Sequence, residues 1–351
     1  MGVYDPSIRD ASDLTAIARG AADAVEAQDA LTPYLPSAEN QTLDFNLDAD
    51  ELKLPRAASF RAYDATAPYG KEKSIGTRKG SLPASSTKLR VGEYDTLRLR
   101  GAGDDALGAA LESKATHNGQ SIAVRAIFAR GEAIQTGKVT MEGENGLTLE
   151  IDFGRPAGQT VTAGTPWSTT SADAIADIDS WQQVLMSDDS VGAPAAGAIT
   201  STKVLSDLAK NAGFIAASTG RSDSGLTRIS RADVLSVLAD YGLTDIVVYD
   251  TQYEDVSGSW TRVISDDQFI LVPSRSTGLV GSTGPLGQTL WGVPSEALND
   301  TYGISGGDIA GIFAAAFHEP DPEGVDVLAS SIFLPVLSTI GAKSALAATV
   351  L

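Results

Sequence analysis

Two histidines, His117 and His318, are the side chains best suited to proton transfer near neutral pH, and neither has a partner at helical spacing. Base catalysis would need a serine or aspartate delivered by the fold, so the plainer reading is two surface or packing residues. The acidic pairs Asp104-Asp105, Asp188-Asp189 and Asp266-Asp267 could offer oxygens to a divalent cation. None has the spacing of a calcium-binding loop, and helix starts and turns account for them. The glycines Gly278, Gly281, Gly284 and Gly287 lack the closing Gly-Lys-Ser/Thr of a phosphate loop, and "GISGGDIAG" from Gly303 lacks the dinucleotide pattern. Trp181, Trp260 and Trp291 read as core or interface anchors, because no basic cluster surrounds any of them. No catalytic, cofactor-binding or metal-ligating residue is assigned, and the sequence reads as a non-enzyme without a cofactor.

Composition narrows the remaining classes. At 351 residues and 42% apolar content the chain can fill a real core, as two medium domains or one large discontinuous one. With no cysteine there is no disulfide framework, thiolate nucleophile or zinc ribbon, which suits a reducing compartment. No charged-then-apolar leader and no apolar run near the roughly 18 residues of a membrane span is visible, so the chain is expected to be soluble, with no membrane partner. A net charge of −19 argues against a general nucleic-acid clamp. Its distribution says more: residues 1–50 carry −8, residues 51–100 carry +6, and the remainder carries −17. A basic block between acidic blocks is either solvated or an arm that docks on acidic neighbours.

The elements that would position these residues follow from periodicity and punctuation. "DASDLTAIARGAADAVEA" predicts a helix capped by Ser12, with Leu14, Ile17, Ala21 and Val25 on one face. The proline-punctuated stretch "LTPYLPSAENQTLDFNLDADELKLP" predicts extended chain laid on another surface or left unstructured. Alternation in "ASFRAYDA" and "TKLRVGEYDTLRLR", around a tip rich in Gly, Lys and Ser, predicts a long basic hairpin. A helix follows from Asp104 to Gln135, kinked or divided at Asn118-Gly119 and stopped at Gly137. "KVTMEGENGLTLEIDFG" predicts a hairpin turning at Asn145-Gly146. Beyond Pro156 an α/β texture sets in. It has a helix capped by Ser171, a helix near "STKVLSDLAKN", a helix opened by a Ser230/Asp233 capping box, and strands "DIVVYDTQY" and "QFILVPS". "VDVLASSIFLPVLSTIGAKSALAATVL" predicts two or three closing strands, with Pro335 at an edge or bulge.

That order of parts resembles the major capsid proteins of tailed bacteriophages with the HK97-type fold, in particular the lambda-like family E. The wording of three stretches is similar as well. "ARGEAIQTGKVTMEG" (Ala129 to Gly143) resembles the family's spine helix ending at its Thr-Gly-Lys-Val junction. "SRADVLSVLADYGLTDIVVYDTQY" with "FILVPS" resembles its central helix and strand, and "SSIFLPVL" with "ALAATV" its closing strands. The resemblance implies an α+β fold with residues 1–50 as N-terminal arm and 51–100 as extended loop. Residues 101–155 and 325–351 would form a peripheral domain built on the spine helix, and 156–324 an axial α/β domain. It places the Gly278–Gly287 stretch near capsomer centres and expects the hairpin after Gly137 to join the C-terminal strands in one sheet.

As function, the resemblance implies a major capsid protein that self-assembles as hexamers and pentamers into an icosahedral virion shell around double-stranded DNA, formed in the host cytoplasm. Scaffold, portal and decoration proteins would be its partners, and packaged DNA would be met only non-specifically. Lys71, Lys73, Arg78 and Lys79 at the loop tip are the candidate inter-subunit contacts, lying on an acidic patch of an adjacent subunit. A net acidic inner surface would keep the genome from sticking during filling. A Lys–Asn isopeptide weld, known in some capsids of this fold, has no motif here requiring it. Two other classes compete: an encapsulin-like bacterial compartment shell and, further behind, an acidic α/β enzyme with an N-terminal extension, which would stay monomeric.

Overall fold

The computed structural model describes residues 3–4, 9–48, 77–99, 105–142, 148–187, 190–221, 225–255, 258–275, 284–304 and 310–351. A short strand, Val3–Tyr4 (β1), precedes helix Ala11–Gln28 (α1). Asp10, not Ser12, caps that helix, its carboxylate accepting the Ser12 N–H at 3.4 Å. Strands Ser37–Glu39 (β2), Asp44–Asp48 (β3), Thr77–Ser81 (β4) and Ala84–Gly92 (β5) lead to a short helix, Glu93–Leu99 (α2). The 31-residue helix Ala106–Thr136 (α3) then runs into Lys138–Glu142 (β6) and Thr148–Asp152 (β7).

The next stretch comprises Thr160–Thr162 (β8), Ala174–Leu185 (α4), Gly197–Thr200 (β9), Thr202–Leu208 (α5), Ala212–Thr219 (α6) and Arg231–Asp240 (α7). Asp245–Val248 (β10), Gln252–Glu254 (β11), Trp260–Arg262 (β12) and Gln268–Val272 (β13) follow. Gly287–Trp291 (β14), Ile312–Pro320 (β15), Glu323–Leu337 (β16), Thr339–Ser344 (α8) and Leu346–Thr349 (β17) close the chain. The Ser230/Asp233 box is present: Ser230 Oγ accepts the Asp233 N–H at 3.2 Å, and Asp233 Oδ2 accepts the Ser230 N–H at 3.1 Å. For α4 the cap is Asp173, not Ser171, accepting the Ala176 N–H at 3.1 Å.

A five-stranded sheet in the order β10-β9-β13-β17-β8 is buried on both faces, and its side chains alternate between two cores. Phe269, Leu271, Leu346 and Ala348 face α4 to α7, whereas Ile199, Val247, Ile270 and Val272 face the C-terminal half of α3. A second sheet, β1-β15-β16-β14-β2 with β5 also on β16, packs with α1 and the N-terminal half of α3. Strand β1 covers β15 only at Phe317 and His318, which leaves the rest of that edge to be satisfied otherwise. Helix α1 does so with side chains. Thr15 Oγ1 accepts the Ala314 N–H at 2.9 Å and donates to the Ala314 carbonyl at 3.0 Å, and Arg19 Nε donates to the Ile312 carbonyl at 2.8 Å.

Two expectations are corrected by the strand pairing. The hairpin β6–β7 pairs only within itself among the described residues, while β16 holds β15 and β5 on its two edges over 324–331 and β14 over 333–337. Strand β17 lies in the five-stranded sheet between β13 and β8. The long basic hairpin is also built differently: β4 pairs with β3, and β5 pairs with β16, with residues 93–99 helical. Its "ASFRAYDA" limb and the Asn145-Gly146 turn lie outside the described residues. Pro335 does sit where β16 is paired on one side, opposite Thr289 of β14 and beyond the last β5 partner, Ala84.

Helix α3 runs unbroken through Asn118-Gly119 and is not divided there. A Cβ on Gly119 would lie 2.1 Å from the Ala18 carbonyl oxygen, so the glycine marks where α1 crosses at backbone distance. Asn118 is fully buried and its Nδ2 donates to the Val327 carbonyl of β16 at 2.9 Å. The pair is a packing device, not a break. Gly119→Ala would add roughly 1 kcal/mol of stability in an exposed helix. Here it is expected to lower stability by about 1–3 kcal/mol in chemical denaturation of the unassembled chain. An unchanged or raised midpoint would contradict the close crossing.

Candidate functional site

Among the described residues, those with catalytic potential sit on different elements. His117 is exposed on α3, and His318 on β15 meets Glu323 Oε1 at 2.8 Å across the turn into β16. Asp105 flanks the start of α3 and pairs with Arg9 at 3.0 Å; Asp266 pairs with Lys203 at 3.3 Å, and the Asp267 carbonyl accepts the Val350 N–H. Asp104, Asp188 and Asp189 lie outside the described residues, as does Gly278 to Gly281 of the glycine loop. Among the described residues no three His, Asp or Glu side chains group as a metal site, and no helix is long and apolar enough to cross a membrane. Trp181 stacks on the buried Trp167 with ring centroids 5.5 Å apart, and Trp291 packs on Phe333. Trp260 is the exception, 73% exposed on β12.

The loop-tip cations are only partly placed. Lys71 and Lys73 lie outside the described residues; Arg78 and Lys79 belong to β4, in register with Leu47 and Asn46 of β3. Two other cations of the basic block are used within the chain. Lys88 and Arg90 of β5 flank Asp326 of β16 at 2.9 and 3.7 Å, and Arg90 also donates to the Pro322 carbonyl.

The polar centre of the molecule is a residue that sequence reading passed over. Arg130 of α3 is fully buried, and its guanidinium reaches four elements at once. Nε donates to Thr289 Oγ1 at 2.8 Å, Nη1 to Thr32 Oγ1 at 3.1 Å, and Nη2 to Glu26 Oε1 at 2.9 Å and Ser37 Oγ at 2.8 Å. The partners are themselves tied. Ser37 Oγ donates to Glu26 Oε2 at 2.6 Å and accepts the Trp291 Nε1–H at 2.9 Å, while Thr289 Oγ1 donates to the Leu35 carbonyl. Such a network is favourable only when complete, because each charge taken from water needs its counter-charge and hydrogen bonds. A weak signal existed: the Glu26 to Arg130 pairing spans far too much sequence for any local pattern, yet an arginine amid Ile127, Ala133 and Ile134 interrupts an apolar face.

The C-terminal end of α3 is held by a second arginine. Gly137 turns left-handed with φ 74°, and its N–H bonds the Ala133 carbonyl at 2.9 Å, as the predicted stop requires. Arg155, just beyond β7, donates to the Ile134 and Gln135 carbonyls at 2.7 and 2.9 Å. The last turn of α3 has no cation of its own, so this guanidinium answers the helix dipole from outside. Burial pushes it down to about 10, which leaves it charged at neutral pH. One residue past α1, the Asp29 carboxylate accepts the Tyr249 hydroxyl at 2.7 Å and the Leu31 N–H at 3.1 Å. Burial raises the Asp29 carboxyl above the ordinary range against those hydrogen bonds, and burial with the Asp29 charge raises the Tyr249 hydroxyl. The arrangement has no reacting centre. It can lock one long helix to its own N-terminal segment and to two sheets.

The sequence matches the family described as phage major capsid protein E over residues 36–346. No curated protein matches it. Among solved structures, a prophage protein of Escherichia coli CFT073 assigned as a capsid protein is 17% identical, with 97% of this chain and 99% of that chain covered at a TM-score of 0.61. A phage-related protein of Bordetella bronchiseptica RB50 is 14% identical over 99% of this chain and 97% of that one, at 0.54. The satellite phage P4 procapsid, solved with its size determination protein, is 8% identical over 94% and 90%, at 0.51. At these identities the structures speak for the fold alone.

The Arg130 network makes a measurable claim. Arg130→Met strands the Glu26 carboxylate and is expected to cost about 3–5 kcal/mol in denaturation of the unassembled chain. Arg130→Met combined with Glu26→Gln removes both charges of this network and should lose clearly less. A double variant as weak as the single would show that Glu26 is not the partner that matters.

Proposed function

This chain belongs to the phage major capsid protein E family and is a subunit of a virion shell, and from that premise we propose how it performs this structural task. The family match over residues 36–346 carries the reading. Copies associate as hexamers and pentamers and close into an icosahedral shell around double-stranded DNA. The work done is association free energy summed over many interfaces, each modest, with closure making the loss of one subunit break all its contacts together. No catalytic step is part of it. Helix α3, fixed along its length by Asn118, Arg130 and Arg155, supports this reading as a stiff strut that transmits load between neighbours.

In this reading residues 1–50 serve as an N-terminal arm whose first helix and β2 lie on the body of the subunit, 51–100 as extended loop, 101–155 with 325–351 as peripheral domain, sharing β17 with the five-stranded sheet, and 156–324 as axial domain, lending β14 and β15 to the β16 sheet. Scaffold, portal and decoration proteins would meet the shell during assembly in the host cytoplasm. The charge of −17 over residues 101–351 supports a lumen that repels packaged DNA.

Lys71, Lys73, Arg78 and Lys79 are proposed to dock on acidic surface of an adjacent subunit. Exposed pairs contribute about 0–1 kcal/mol each, so they set register and salt sensitivity more than total stability.

Two measurements test the reading. Negative-stain microscopy with sedimentation of the purified chain should show closed shells, or hexamers and pentamers; a persistent monomer under every condition would overturn it. Changing Lys71, Lys73, Arg78 and Lys79 together to Glu should abolish normal shells at ordinary salt, and normal assembly of that variant would remove the loop tip from the interface.

A further inference from the structure

A ring of identical subunits is held by a heterologous contact, so each copy must carry two different surfaces that fit one another. Among the described residues the two most exposed aromatic side chains are Tyr94, 75% exposed, and Trp260, 73% exposed. They lie on different elements, and each is part of an organised face.

Helix α2 has no buried residue. Seven residues are too few for a helix to be stable through its own hydrogen bonds, so its stability should come from what it packs on. Tyr94, Leu97 and Arg98 fall at i, i+3 and i+4, one stripe of that helix, with Leu97 59% exposed and Arg98 exposed. Glu93 and Asp95 flank the stripe on either side.

The ribbon β11–β12 has the opposite character. One of its faces carries Tyr253, whose ring packs edge-on against Phe128 of α3 at 6.1 Å. The other carries Glu254 and Trp260, which are directly paired across the strands, beside Gln252 and Arg262. Arg262 is engaged by Asp250 at 3.0 Å. That leaves an exposed indole with a carboxylate next to it, and the α2 stripe is an exposed tyrosine and leucine with a guanidinium next to them.

We infer that the Tyr94/Leu97/Arg98 stripe of one copy docks on the Glu254/Trp260 face of the next copy around a capsomer. The match is apolar against apolar with a cation against an anion, the anatomy of an interface centre with a polar rim. The inference rests on the reading of the chain as a shell subunit. It adds a specific pair of surfaces, neither of them at the loop tip.

Charge exchange tests it. Arg98→Glu and Glu254→Arg, each exposed and each checked for native fold by circular dichroism, should lose rings and shells in sedimentation at low salt. The two together should regain them. Because the chain has no cysteine, Leu97→Cys with Gln252→Cys leaves both aromatic rings and both charges in place and supplies a second readout. A short thiol crosslinker should give a covalent ladder up to the full ring with both cysteines, and no ladder with either alone. Single charge variants that assemble like the unmodified chain, or crosslinked shells with no ladder, would overturn the inference while the shell reading stands. An unmodified chain that never leaves the monomer would overturn both.

Discussion

A buried guanidinium is the constraint around which this molecule is arranged. Arg130 has no contact with water, so its donors must be met by protein groups, and those groups come from α1, the segment after it, β2 and β14. Satisfying all of them at once fixes the register of four elements against α3. Apolar packing alone would tolerate sliding by a methyl group or a turn, since it is non-directional. The hydrogen-bond geometry of one arginine does not. The N-terminal segment is thereby made part of the body of the subunit, up to β2.

The doubly buried sheet extends that rigidity. Successive residues of β13 enter different cores, so the helices α4 to α7 and the long helix α3 are packed against opposite faces of one thin wall. Displacing either layer disturbs the same strands. The Tyr249 to Asp29 hydrogen bond adds a directional link on the α3 side of that wall, tying the end of β10 to the segment after α1. A shell subunit benefits from such construction, because the strength of a lattice depends on each piece presenting its contact faces at fixed angles.

Much of this was legible from local pattern. The left-handed Gly137, the Ser230/Asp233 capping box and the all-apolar "FILV" strand announce themselves through residues whose preferences act within a few positions. The family resemblance reached further because it reads the order of elements. What local pattern could not supply was partnership. Asn118-Gly119 has the composition of a helix break, but a backbone from a hundred residues earlier fills the space beside it. The alternation of "TKLRVGEYDTLRLR" promised one long strand, yet the pairing with β16 ends at Gly92 and the chain turns helical. Arg130 looked like any helical arginine. Its counter-ion lies 104 residues away. Lys71 and Lys73, the first choices for contact from charge alone, lie outside what the structure describes, and the exposed pair of Tyr94 and Trp260 had no signature beyond their residue types.

The side-chain seal along β15 bears on a hazard of abundance. A protein needed in many copies per particle accumulates before it is used, and a bare strand edge in a crowded solution can recruit the same edge of another molecule into an unlimited ribbon. Thr15 and Arg19 occupy the amide and carbonyls through which such growth would start, and they do so from a helix that itself cannot be extended by strand addition. The polymer that forms is then the one that closes on itself and stops.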